Sequence, residues 1–532
     1  MRRMTITLLL FLAYRVFFSI IPAQAAGMDE VAKNLTSDQF PQIEQAITDL
    51  ASAGTAESAS MLEALNDGRL LYTADKRVVI KNGETVIDAS TGSRLESVPG
   101  GLKTIRTNNR IRRVLESALA TLNLLSSDPV KRHAAAEIVF KARDKQALPL
   151  LDSALQREKD KIIKMLMERA RAAIIVADGR SAEIDRLQAI DVLVERGDQD
   201  VLALLNSIRD QAPVNLVKAI DTAVKSIERR LSLLSMIQNG IYGLSLGSVL
   251  LLAAIGLAIT FGVMGIINMA HGEMVMLGAY TTFLVQQVIR DKFPAVFDLS
   301  LFIALPLAFL TSAFAGVLIE RFVLRYLYGR PLETLLATWG VSLMLQQGVR
   351  SVFGPTNREV GAPSFMSGSV DLWGLTITSG RLWIILFSLM VFVTLLIVMR
   401  ATSFGLKMRA VTQNRRMAAA MGIPTPAIDR MTFALGSGIA GIAGVALSQI
   451  DNVSPNLGQG YIIDSFMVVV FGGVGNLWGT LVAALTLGIA NKFLEPLAGA
   501  VLGKIAVLVF IILFIQKRPR GLFALKGRSV EA

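Results

Sequence analysis

From Leu231 onward the chain is a series of uncharged apolar runs separated by short basic clusters. The runs are Leu231–Ala270, Leu299–Ile319, Thr334–Val349, Leu382–Met399, Met431–Ile450 and Ser465–Asn491, and a last one near Leu497–Gln516 contains Lys504. Most have the length of a membrane-crossing helix, about 20 residues. The first run is too long for one pass, since 40 residues of helix reach roughly 60 Å at about 1.5 Å per residue. It is therefore expected to break, with Gly256, Gly262 and Gly265 supplying the flexibility and Met274–Ile289 forming the next crossing. A short crossing near Tyr461–Gly473, broken at "FGGVGN", completes an expected eight or nine spans.

Orientation follows from the basic loops, which stay on the cytoplasmic side. Arg321–Arg330, Arg400–Arg430 and the tail "KRPRGLFALKGR" are all strongly basic. Residues 231–520 thus form a polytopic membrane domain and residues 521–532 a cytoplasmic tail. The net charge of +12 has the same origin, so nucleic acid is not an expected partner and lipid is.

The first half is different. Only 18% of the whole chain is charged, against about a quarter in soluble proteins, yet residues 29 to 230 are densely charged. Arg2 and Arg3, an apolar stretch and Ala23-Gln24-Ala25 make residues 1–25 a secretory signal. The rival reading, a retained signal anchor, leaves the following residues on the same outer side. Residues 26–230 are then an exported, mainly helical domain. Within it "RVVIKNGETVID" predicts a β-hairpin turning at Asn82-Gly83. Asp128-Pro129 predicts the start of a helix over "VKRHAAAEIVFKA". "RHAAAEIVFKARDKQALPLLDSAL" from Arg132 aligns with "RLQAIDVLVERGDQDVLALLNSIR" from Arg186, so that Leu148, Leu150 and Leu151 fall on Leu202, Leu204 and Leu205. Helix, polar turn, helix is the unit of a HEAT-like solenoid. His133 has no companions at metal-ligand spacing and reads as a surface residue. The mixed charges from Arg157 to Arg171 read as a solvated helix face, or as a docking surface.

Chemistry-bearing residues are few. Cysteine is absent, which excludes disulfides, thiolate metal sites and cysteine nucleophiles. No catalytic, cofactor-binding or metal-ligating set stands out. The exception to the apolar background is "FGVMGIINMAHGEMVMLGAY", Phe261 to Tyr280. Ionisable side chains within a membrane domain are unfavourable unless they face water, protein or substrate. Transporters build midplane sites from such glycine-interrupted helices. Asn268, His271 and Glu273 are therefore the candidate substrate-pathway residues. The alternative is that His271 and Glu273 cap the helix over Met274–Tyr280.

These residues resemble a known family. "GIINMAHGEMVMLGAY" looks like the Asn-x-Ala-His-Gly-(Asp/Glu)-x-x-x-x-Gly-Ala-Tyr signature of branched-chain amino-acid-type ABC importer permeases. "RATSFGLKMRAVTQNRRMAAAMGIP", Arg400 to Pro424, resembles the cytoplasmic loop that presents a coupling helix to the ATPase. "VVVFGGVGNLWGTLVAAL" is similar to the family's late glycine-rich segment. The resemblance implies that Arg409, Gln413, Asn414, Ala418, Ala419, Met421 and Gly422 belong to the coupling loop. The expected coupling helix is Val411–Met421, bounded by Gly405 and by Gly422-Ile423-Pro424. The implied partners are a second permease subunit, ABC ATPase subunits, a periplasmic substrate-binding protein and a small-molecule substrate. The chain itself has no Gly-x-x-x-x-Gly-Lys-(Ser/Thr) loop for nucleotide, so it is not expected to be an enzyme or to hold a cofactor.

A long exported extension ahead of this core resembles the urea permease branch of the family, found in Gram-negative bacterial inner membranes. The expected function is therefore permease subunit of an ATP-driven urea importer. A branched-chain amino acid is the alternative cargo. From another class, a membrane-tethered helical-repeat scaffold or sensor remains open, though a tether needs only one span.

Overall fold

The computed structural model describes residues 31–523 apart from 32, 33, 38, 84, 96–100 and 373. The secretory-signal reading of residues 1–25 and most of the tail at 521–532 lie outside the described residues. The chain divides into two compact units, Met1–Ser232 and Leu233–Ala532.

In the first unit, α1 (Phe40–Ala53) and α2 (Ala56–Asn66) precede four short strands, β1 (Leu70–Tyr72), β2 (Val78–Asn82), β3 (Thr85–Asp88) and β4 (Lys103–Thr104). The strands form one antiparallel sheet in the order β3-β2-β1-β4. The hairpin is present, but its turn lies one residue later than expected. Asn82 pairs with Thr85, and Gly83, at φ 64°, begins the two-residue loop. Asn82 is retained in the ladder because the left-handed position falls on the glycine. Helices α3 (Asn109–Asn123), α4 (Pro129–Ala142), α5 (Leu148–Arg157), α6 (Lys161–Ala177), α7 (Glu183–Arg196) and α8 (Gln199–Arg209) follow.

The aligned segments share their geometry. Asp128 accepts from Val130 N and Pro129 opens α4. That helix ends on Arg143 at φ 56°, ψ 34°, and α7 ends on the aligned Gly197 at φ 56°, ψ 35°. Asp144 and the aligned Asp198 then each accept an amide of the next turn, from Gln146 and Val201. Leu151 and Leu205 are both fully buried. Helix α6 stands between the copies and packs on α4 and α7, an element the repeat did not predict. His133 is exposed on α4.

The division between units falls within α9, Val214–Met264, a helix of 51 residues. In the second unit, α10 (His271–Lys292), α11 (Ser300–Phe322), α12 (Pro331–Phe353) and a hairpin of β5 (Ser369–Leu372) and β6 (Leu375–Thr378) follow. Then come α13 (Ser379–Ala401), α14 (Ser403–Gln413), α15 (Arg415–Ala420), α16 (Thr425–Leu447), α17 (Leu457–Gly472) and α18 (Leu477–Lys517), the last kinked at Gly499. Among the described residues five helical stretches are long and apolar enough to cross a membrane: α9, Pro294–Tyr326, α13, α16 and α18. The apolar α17 has 16 residues.

Two expectations are corrected here. The long apolar run does break, at Gly265 (φ 70°) just after α9 ends at Met264, but not at Gly256 or Gly262, which α9 passes through. Gly256 and Gly262 are instead contact points. A Cβ on the first would lie 2.4 Å from the Gly436 carbonyl oxygen, and one on the second 2.7 Å from Gly475 Cα. Nor is Val411–Met421 one helix. Asn414, at φ −151° and ψ 102°, separates α14 from α15 and caps the latter by accepting from Met417 N at 2.9 Å. Its short side chain competes for backbone amides, which favours a cap over a helix interior. Gly405 lies inside α14, whose cap is Thr402.

The centre of the second unit is the contact of α10, α11 and α16. Helix α16 carries "GSGIAGIAGVAL", buried throughout. Small residues let helix backbones approach where no hydrophobic effect drives association. A Cβ on Gly278 would lie 2.1 Å from the Gly441 carbonyl oxygen. Helices α11 and α13 leave Phe302, Leu310, Phe314, Leu386 and Met390 exposed, as lipid-facing helices do.

Candidate functional site

Between Met264 and His271 the backbone is non-helical. Such backbone needs partners in apolar surroundings, and side chains supply them. Asn268 Oδ1 accepts from Ala270 N at 3.0 Å, and Thr338 Oγ1 on α12 accepts from Met269 N at 3.1 Å. The same Thr338 hydroxyl donates back to Thr334 O at 2.9 Å.

The three candidate pathway residues are 1–2% exposed, and each side chain has a different partner. Asn268 holds the turn. His271 Nε2 lies 2.9 Å from Ala253 O on α9, so this nitrogen carries the hydrogen and the imidazole pins the start of α10 to the preceding helix. Glu273 Oε1 accepts from Ser342 Oγ at 2.9 Å. Neither His271 nor Glu273 caps α10, whose N-cap position, Ala270, has no side-chain bond. Here they face protein.

Sequence reasoning missed the α12 side of this seam. Thr334, Thr338, Ser342 and Gln346 are buried at four-residue spacing, while Leu336, Trp339 and Met344 on the other faces are exposed. The helix turns its polar stripe inward, as expected where a polar group must find protein rather than lipid. The spacing was legible in "TLLATWGVSLMLQ", but it passed as part of an apolar run.

The coupling-loop candidates form a second site. Met417, Ala419, Met421 and Gly422 are exposed, whereas Ala418 is 5% exposed and packs inward with Met408, Val411 and Ile428. The helix ends with Ile423 N donating to Ala418 O and Gly422 N to Ala419 O, both at 3.0 Å, around Gly422 at φ 80°. That reciprocal pair is the Schellman ending, for which glycine is suited. Asn414 and Gln413 are exposed at the break; Gln413 and Arg409 border a cavity of 380 Å³ with Thr412, Asn476 and Trp478. Arg409 donates to Met399 O.

Behind the loop lie residues that the sequence did not single out. Asp429, fully buried, is bound by Arg415 (Nη1 to Oδ1, 3.2 Å). Glu320 on α11 accepts from Tyr328 Oη at 3.1 Å and faces Arg430 at 3.7 Å. Arg415 also lies 5.3 Å from the centre of the Tyr328 ring. These contacts tie α15 to α16 and α11.

The second half of the chain is similar to known proteins. The high-affinity branched-chain amino acid transport system permease protein LivH of Salmonella typhimurium is 30% identical over 301 residues, covering 54% of this chain and 96% of that protein. BraD of Pseudomonas aeruginosa, named for the same system, is 29% identical, with 54% and 95% covered. The probable LivH of Methanocaldococcus jannaschii is 25% identical, with 53% and 91% covered. No solved structure matches the chain. Residues 239–516, just over half the chain, match the family described as branched-chain amino acid transport system / permease component, and the chain belongs to that family.

Proposed function

We propose that this chain is the permease subunit of an ATP-driven importer of urea in a bacterial inner membrane. In this reading it has eight or nine crossings, its first unit is periplasmic and its C-terminus is cytoplasmic. The observation that carries the cargo is the layout. The relatives align over nearly their whole length with only 54% of this chain, and the family match begins at residue 239, so residues 1–238 precede it. That arrangement resembles the urea branch of the family. Urea is neutral and planar, and the buried seam of Asn268, Thr338, Ser342 and Glu273 is built of hydrogen-bonding groups without a cation.

Energy enters through partner ATPase subunits seated on α15, where Met417, Ala419 and Met421 are exposed. A second permease subunit and a periplasmic binding protein complete the assembly. The relatives, named as branched-chain amino acid transport permeases, favour a second cargo, a branched-chain amino acid. Uptake of radiolabelled urea and leucine after deletion of the gene decides between them. Loss of urea uptake alone supports the proposal; loss of leucine uptake alone replaces it.

A further inference from the structure

At the ends of α13 and α16 away from the loop helices α14 and α15, a cavity of 260 Å³ opens among Arg381, Asp451, Tyr461, Asp464 and Asn491. Arg381 is three residues into α13 and Asp451 lies just past α16. Asn491 is in the first arm of α18, ahead of the Gly499 kink. The walls between the polar groups include Leu246, Val249 and Leu447.

Its polar groups fall into two sets. Lys504 Nζ donates to the buried Asp464 Oδ2 at 2.9 Å, and Lys492 pairs with Glu495. Those four charges are compensated within the protein. Three other groups are not. Among the described residues Arg381 forms no ion pair, its guanidinium lying 4.5 Å from the centre of the Tyr242 ring. Asp451 accepts from the adjacent Asn452 N at 2.8 Å and from Tyr461 Oη at a long 3.5 Å, with no cation paired to it among the described residues. Asn491 is 9% exposed and its Oδ1 has no donor among the described residues. A buried acceptor without a donor is unfavourable, because it has given up its hydrogen bonds to water. One cavity thus holds a strong donor, a strong acceptor and an unused amide oxygen.

We propose that this cavity is a cargo subsite for a small solute, neutral overall, with an oxygen acceptor at one end and N–H donors at the other. The acceptor meets Arg381, and the N–H groups meet Asp451 and Asn491 Oδ1. An amide such as urea and an amino-acid zwitterion share this chemistry. The volume suits either, being below the roughly 300–1,000 Å³ typical of drug-sized pockets. The proposal rests on the importer reading, since it gives the cargo a station at the membrane face opposite the ATPase contact.

The natural chain has no cysteine, so one introduced thiol reports on one place. In the assembled transporter, Leu246→Cys is labelled with a small maleimide in the presence of increasing urea or leucine, with His133→Cys on the exposed face of α4 as the control. Protection of Leu246→Cys and not of His133→Cys is expected, and the solute that protects identifies the source. Adding Arg381→Gln should raise the half-protecting concentration about tenfold, the effect of losing some 1.4 kcal/mol. Asn491→Leu should do the same, and Arg381→Lys should recover part of the loss. If neither solute protects, or if the two variants leave half-protection unchanged, the subsite is overturned. Transport of labelled solute by the natural chain is measured alongside. Uptake without protection removes the subsite alone, and absence of uptake of either solute removes the importer reading.

Discussion

Ser342 donates its hydroxyl hydrogen to Oε1 of Glu273 across 2.9 Å, joining α12 to the first turn of α10 where the residues are 4% and 1% exposed. The second carboxyl oxygen, Oε2, has no donor among the described residues. Ser342→Ala should therefore leave a buried acceptor group unsatisfied and destabilise the protein by about 1–3 kcal/mol. Glu273→Gln keeps an oxygen for Ser342 and should be milder, while Glu273→Leu should resemble Ser342→Ala. Thermal melting of the detergent-purified protein ranks the three. Equal melting temperatures would show that the contact contributes nothing.

Gly278 is packed so closely on Gly441 that an added Cβ would meet a backbone carbonyl at 2.1 Å. Backbone cannot rotate away as a side chain can, so Gly278→Ala should destabilise by about 1–3 kcal/mol or more. Gly340, on α12 with nothing within 4 Å of its added Cβ, is the comparison. Gly340→Ala should be neutral or slightly stabilising, because alanine loses less backbone freedom in a helix. The melting temperatures of the two variants test the distinction.

Ala418 and Ala419 are neighbours with opposite surroundings, one packed inward and one exposed. Ala419→Glu should leave the chain inserted and folded but abolish association with the ATPase subunit, because desolvating an unpaired carboxylate at a contact costs several kcal/mol. Ala418→Glu should instead disrupt the loop itself. Pull-down of the ATPase at natural levels by Ala419→Glu would remove α15 as the docking element.

Glu158 is held below its ordinary value of 4.5 first by the side-chain bond from Arg132. The pair is bidentate, with Arg132 Nε 2.6 Å from Oε2 and Nη2 3.2 Å from Oε1. A depressed carboxyl contributes stability that is fully present above its unfolded value and lost as pH falls through its folded value. The first unit should become more protease-sensitive as pH drops below 4.5. Glu158→Gln should be less stable at neutral pH and should flatten that dependence. Limited proteolysis of the full chain across that pH range measures both.

Sidedness has a direct test. An alkaline phosphatase fusion at Ser207 should be active and one at Gly405 inactive if the first unit is outside and the α14–α15 loop inside. The reverse pattern would overturn the basic-loop argument.

Local features were legible in the sequence because local chemistry sets them. Asp128-Pro129 could only begin a helix well, and the aligned Arg143 and Gly197 mark the same helix end because the polar turn after each is capped by an aspartate. The apolar runs gave helices wherever they were long enough to need their backbone bonds satisfied internally. Tertiary structure decided what sequence could not separate. Gly265 and Gly256 look alike in a string of letters, yet one supplies a left-handed backbone angle that ends α9 and the other supplies the absence of a Cβ where α16 approaches. Which use a glycine serves depends on what packs against it from far along the chain. The same holds for Glu273, whose partner Ser342 lies 69 residues away. No local pattern announces a hydrogen bond made only when two helices meet.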